Sequence, residues 1–177
     1  MISEYLNIIS NSLKSYHQEK IDRLYSILSE NINNHRNIFI CGNGGSAANS
    51  LHIANDFTYM NSKLNKPKLI KVESLLSNPS VITCIANDIS YDDIFSFQIT
   101  SKGKEGDLLI VLSGSGNSKN IINAINVSKN KGLKTFGLIG FDGGQAKNIL
   151  DDFIHFEVND MQAAEDLQTI VFHYIIK

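Results

Sequence analysis

The sequence is short of the residues that announce a special environment. It has two cysteines and two prolines among 177 residues, and a formal net charge of -2. Cys41 and Cys84 each sit within or beside an apolar run. That placement excludes a disulfide framework or a CxxC-type centre and predicts two small buried hydrophobes. Lys and Arg number 16 against 18 Asp and Glu, a balance that gives no electrostatic reason to bind nucleic acid. No run approaches the ~20 apolar residues of a membrane span, so no membrane association is expected. The N-terminus, "MISEYLNIISNSLKSYHQEK", lacks the basic start, apolar middle and small-residue cleavage site of a secretory signal. A cytoplasmic location is the expectation. The GxGxxG fingerprint and the GxxxxGK[ST] loop are also missing, which makes NAD and ATP poor candidates.

What is present is a composition 42% hydrophobic, enough to bury the core of one domain over residues 1–177. No repeat or linker interrupts it. Residues 2–32 space their apolar side chains by three and four, predicting one long helix or two, bent near His17–Lys20. Strands are predicted at 37–42, 68–72, 107–113, 134–140 and 152–158. Helices are predicted at 46–60, 118–132, 143–150 and 161–177, with two short ones over 79–99 broken around Asn87–Ser90. Pro67 and Pro79 fall in loops or at a helix start. Continuous apolar strands alternating with helices predict a parallel sheet covered on both faces.

Ligands of such sheets bind beyond the carboxyl ends of the strands. Two Gly/Ser-rich loops lie there, "CGNGGSAA" and "SGSGNSKN". Helix N-termini carry unpaired N–H groups and about half a positive charge. Hydroxyls add donors, and glycines such as Gly114 let the backbone approach closely. Ser113, Ser115 and Ser118 therefore read as ligands of a phosphate dianion. One such loop alone is equally a serine N-cap on a glycine turn. Two at equivalent strand ends point to a phosphorylated ligand.

The segments "CGNGGSAANSLHIANDF", "SNPSVITCIANDISYDDIF", "VLSGSGNSKNIINAI" and "GLIGFDGGQAKNI", in this order, resemble the SIS (sugar isomerase) domain. More narrowly, they resemble its sedoheptulose-7-phosphate, or phosphoheptose, isomerases. The resemblance implies an α/β, flavodoxin-like three-layer sandwich with a five-stranded parallel sheet. It also implies an N-terminal helical arm (1–35) used in oligomerisation, and a homotetramer with active sites between subunits. The implied reaction converts sedoheptulose 7-phosphate to glycero-manno-heptose 7-phosphate through an enediol. It is the first step toward nucleotide-activated heptose for lipopolysaccharide or capsule. Ser113, Ser115 and Ser118 match family phosphate positions. Asn43, Gly44, Gly45 and Ser46 match the first loop's substrate contacts, and Asn87 with Asp88 matches another substrate-contacting pair.

Moving a proton between neighbouring carbons needs a base beside them and an acid or a metal at the oxygens. His52 and Asp56 are four residues apart, hence on one helix face. In the family these positions carry His and usually Glu, both able to bind zinc, and the acid also works in proton transfer. Asp56 is shorter by about 1.5 Å of reach. In the closing helix, Glu165 and His173 are separated by about 12 Å of rise. The first position is Gln in the best-known relatives, and the second is a His assigned to metal and acid–base work. A swap of sizes follows: a shorter acid at 56 and a longer one at 165. Glu165 becomes the leading base and His173 its acid or partner, while His52, Asp56, Glu165 and His173 are the expected ligands of one zinc. The bland alternatives are a solvated face for Glu165 and Asp166 and a buried hydrogen-bonded role for His173. His17, His35 and His155 read as structural. Alternative functions are an SIS isomerase for another phosphosugar, or a non-catalytic SIS protein that binds a sugar phosphate or a partner protein.

Overall fold

The computed structural model describes residues 1–14, 17–63 and 69–177. Five strands form one parallel sheet: β1 (Asn37–Gly42), β2 (Lys71–Ser74), β3 (Leu108–Ser113), β4 (Lys134–Ile139) and β5 (Asp152–His155). Their order is β2-β1-β3-β4-β5. The helices are α1 (Ile2–Ser12), α2 (His17–Asn33), α3 (Gly45–Ser62), α4 (Pro79–Asp88), α5 (Ser96–Lys102), α6 (Lys119–Asn130), α7 (Ala146–Ile149) and α8 (Met161–Ile176). A single 3-10 turn covers Tyr91–Asp93. This is the flavodoxin-like sandwich that the sequence implies.

Residue parity sorts the apolar strands into two cores, because successive strand side chains point to opposite faces. Ile38, Ile40, Leu108, Ile110 and Leu112 join Leu24 and Leu28 of α2, Ile53 of α3 and Phe172 of α8. Phe39, Cys41, Leu109 and Val111 join Ile85 of α4, Ile99 of α5 and Ile121 and Ile125 of α6. Each fully buried aliphatic side chain contributes about 1.5–3 kcal/mol. Cys41 is buried, as expected, and burial pushes its thiol pKa up. Cys84 is not: it lies exposed on α4 and donates to Asp88 Oδ2 at 3.5 Å.

Some boundaries differ from expectation. The N-terminal helix breaks before His17 rather than within 17–20. Lys14 N–H donates to His17 Nδ1 at 2.8 Å, and His17 Nε2 bonds His155 O at 2.9 Å. The histidine thus ties the start of α2 to the end of β5. β2 begins three residues later than predicted, and Pro67 and Lys68 lie outside the described residues. As an edge strand it pairs only with β1, so "KVES" need not be apolar. β5 ends at His155, although Phe156 N–H still reaches Ile139 O at 2.8 Å.

At the amino end of the sheet, buried Asp107 is an acceptor for three N–H groups. Its oxygens receive Asn37 N and Asn37 Nδ2 at 2.8 Å each and Lys104 N at 2.9 Å. Asp107→Ala strands all three, and is expected to cost about 3 kcal/mol in urea-unfolding free energy.

Candidate active site

The chain leaves β1 toward one face of the sheet, through α3, and leaves neighbouring β3 toward the other, through α6. A crevice opens where the direction changes. Asn43, Ser46, Ser113, Gly114, Ser115, Ser118, Met161 and Glu165 line a cavity of about 70 Å3 there, large enough for one small anion.

Among the described residues no Lys or Arg lines this cavity. Its donors are neutral, and its one charged lining residue is Glu165. Ser113 Oγ accepts from Gly116 N at 3.0 Å, and Ser115 Oγ accepts from Asn117 N at 3.3 Å. Each hydroxyl accepts one bond and no bond among the described residues uses its hydrogen, so both hydroxyl hydrogens can turn to a ligand. Ser118 is the N-cap of α6, yet its side chain makes no capping bond. That removes the plain capping explanation for this serine. Gly116 has φ +66, and a Cβ there would stand 2.1 Å from Gly143 O, so only glycine fits the turn.

The first loop is built differently. Glu165 Oε1 accepts from Ser46 N at 3.1 Å, so the chain's own carboxylate sits at the N-terminus of α3. A Cβ on Gly45 would lie 2.1 Å from Glu165 Oε2. Glycine is needed for this approach. Beside it, Ser46 Oγ donates to Gln168 Oε1 at 3.1 Å, and Asn49 Nδ2 donates to Glu165 O at 2.9 Å and Gln168 Oε1 at 3.1 Å. Glu165 is half-buried and bonded, not a free solvated residue. Asp166 next to it accepts from Tyr5 OH at 2.7 Å, which pins α1 to α8. Burial, then Asp166, push the Tyr5 phenol pKa up to about 12.

Further along the same two helices, His52, Asp56 and His173 converge, with ligand atoms within 4.8 Å of one another. His52 Nε2 and His173 Nε2 are 2.9 Å apart, and Asp56 Oδ2 is 3.5 and 3.4 Å from them. Ligands bound tetrahedrally at 2.0–2.1 Å are separated by about 3.3 Å. Two imidazoles and one carboxylate at this spacing fit zinc or another first-row divalent ion and leave a position open. Glu165 does not join the group, so the expected four-residue set is three residues here, among the described residues. His173 is exposed and paired with His52, not a buried structural histidine.

Asn87 and Asp88 are exposed at the end of α4 and bond each other at 2.7 Å, and neither is among the residues lining the cavity. Residues the motifs did not flag hold the flagged ones. Asn120 and Tyr91 bond Asn43, and Met161 closes the cavity over Gly114. Asn120 carries a readable signal: it is an amide on the apolar face of α6, beside Ile121 and Ala124.

A crevice at the switch point of a parallel sheet, lined by hydroxyls and amides, defines a doubly wound α/β protein. The SIS domain matches residues 4–140. The phosphoheptose isomerase of Aliarcobacter butzleri is 36% identical over 160 residues, 89% of this chain and 82% of that protein. That of Clostridium acetobutylicum is 38% identical over 157 residues, 89% of this chain and 79% of its own. The structure of the Neisseria gonorrhoeae phosphoheptose isomerase superposes with a TM-score of 0.89 at 26% identity, covering 99% of this chain and 92% of that one. The chain belongs to the SIS domain family and, within it, to the phosphoheptose isomerases.

Gly45→Ala is expected to push the Glu165 carboxylate off Ser46 N–H, lower stability by about 2 kcal/mol and speed hydrogen exchange at the Ser46 amide. Calorimetry and exchange measured by NMR check both.

Proposed function

We propose that this chain converts sedoheptulose 7-phosphate to glycero-manno-heptose 7-phosphate. The observation that carries the reading is the joining, along one helix pair, of a neutral anion cradle, a carboxylate and a His–Asp–His cluster. The hydroxyls of Ser113, Ser115 and Ser118 hold the phosphate, helped by the first-turn amides of α6. Asn43, Gly44, Gly45 and Ser46 flank the sugar, and Asn87 with Asp88 is a further substrate-contacting pair.

A ketose becomes an aldose by loss of a proton from C1, an enediol, and return of a proton at C2. Glu165 takes the first proton at Oε2, the oxygen that Ser46 N–H does not hold. His173 is its acid partner at the oxygens when its Nε2 carries a proton rather than a metal ion. A second reading gives the transfer to Asp56 and His173, 3.4 Å apart, with Glu165 orienting the substrate. His52, Asp56 and His173 would hold zinc, which polarises the carbonyl oxygen when bound.

A homotetramer with the arm at its interface completes the proposal. Ile2, Leu6 and Ile8 of α1 are exposed and want cover. A groove of about 360 Å3 runs between Leu13, His17, Ile21 and the α8 residues Ile170, Val171 and Tyr174. No described helix is long and apolar enough to cross a membrane. The location is proposed as cytoplasmic, where the product would feed nucleotide-activated heptose synthesis.

Incubation with sedoheptulose 7-phosphate tests the reading; no aldose product, with or without added zinc, overturns it. A chelator is expected to lower turnover, and His52→Ala to abolish zinc binding in calorimetry. Glu165→Gln is expected to reduce kcat by about 10²–10⁴-fold. If Glu165→Gln stays near the wild-type rate and Asp56→Asn is dead, the second reading holds.

A further inference from the structure

Asparagines recur every three residues at 117, 120, 123 and 126. The first three each grip a different neighbour. Asn117 Oδ1 accepts from Gln145 N at 3.0 Å, and Asn123 Nδ2 donates to Asp92 O at 3.0 Å. Asn120 is buried, 2% exposed, and spends both amide heteroatoms on one residue. Asn43 Nδ2 donates to Asn120 Oδ1 at 2.9 Å, and Asn120 Nδ2 donates to Asn43 Oδ1 at 2.9 Å. The face around it, with Ile121, Ala124 and Ile125, would take an aliphatic side chain more readily.

Tyr91 adds a further constraint. Its hydroxyl donates to Asn43 Oδ1 at 3.1 Å. The Asn43 oxygen then has two donors and is saturated. One hydrogen of Nδ2 is used by Asn120, and the other is left at a residue that lines the cavity. Without these partners the Asn43 side chain would be free to swing away from the cavity wall.

We propose that Asn120 and Tyr91 are positioning residues that hold the Asn43 side chain at the cavity wall, against the phosphorylated sugar. The inference rests on the sugar-phosphate reading above, and it adds two residues that the motif does not include. Asn123 takes part indirectly, since its bonds to Asp92 O and Asp93 Oδ1 hold the turn that carries Tyr91.

The test is a mutant cycle read by steady-state kinetics with sedoheptulose 7-phosphate. Asn120→Ala is expected to raise KM about tenfold with kcat little changed, and Tyr91→Phe to raise it about threefold. Tyr91 is 56% exposed, so the loss of its hydroxyl leaves the core intact. On an Asn43→Ala background, Asn120→Ala is expected to add nothing, because it acts only through Asn43. A wild-type KM in both single variants, or full additivity with Asn43→Ala, overturns the positioning role. A wild type that binds the sugar phosphate without turning it over sinks the isomerase reading alone. The same cycle, read as calorimetric Kd, then decides the positioning role by the same criteria. A wild type that does not bind overturns both.

Discussion

The polar seam between α3 and α8 is the constraint on which both halves of the site depend. The two helices run in the same direction and meet in register. Ser46 is bonded to Glu165 and Gln168, Asn49 to Glu165 and Gln168, and His52 to His173. Phe57 and Phe172 close the far end with ring centroids 6.4 Å apart. A slip of α8 by one residue would rotate its contact face by about 100°. It would take Glu165 from the α3 N-terminus and His173 from His52 together. One set of hydrogen bonds thus spaces a carboxylate and a His–Asp–His cluster along a common groove.

The cradle beside the seam works without a formal positive charge. Its donors are hydroxyls, amides and the end of a helix, all fixed by the fold before a ligand arrives. Such donors lose little entropy on binding and are worth most where water is displaced. Cations elsewhere are engaged structurally. Lys20 and Arg23 both pair with Asp152, and Lys102 pairs with Glu73.

Much of this architecture was legible in the sequence, for identifiable reasons. β1, β3 and β4 are buried on both faces, so they read as unbroken apolar runs and were placed correctly. β2 was misplaced because an edge strand need not be apolar. Cys84 was expected inside because its neighbours are apolar, yet it points outward from an amphipathic helix. At the site, the four-residue spacing put His52 and Asp56 on one face, and the structure brings His173 to them. Glu165 was expected in the same cluster. Its departure depends on a tertiary bond to a backbone N–H, which no pattern of side chains reveals. Asn120 escaped notice for a similar reason: its role appears only once the loop after β1 lies against α6.

The two cysteines have fates that make the chain convenient to instrument. Cys41 is sealed between the sheet and its helices, whereas Cys84 is open on α4, one turn before Asp88. The bond to Asp88 raises the Cys84 thiol pKa and thins its thiolate at neutral pH, so alkylation goes faster in mildly basic buffer. A maleimide dye or spin label would therefore attach at a single address, with no engineered mutation, beside the exposed Asn87–Asp88 pair.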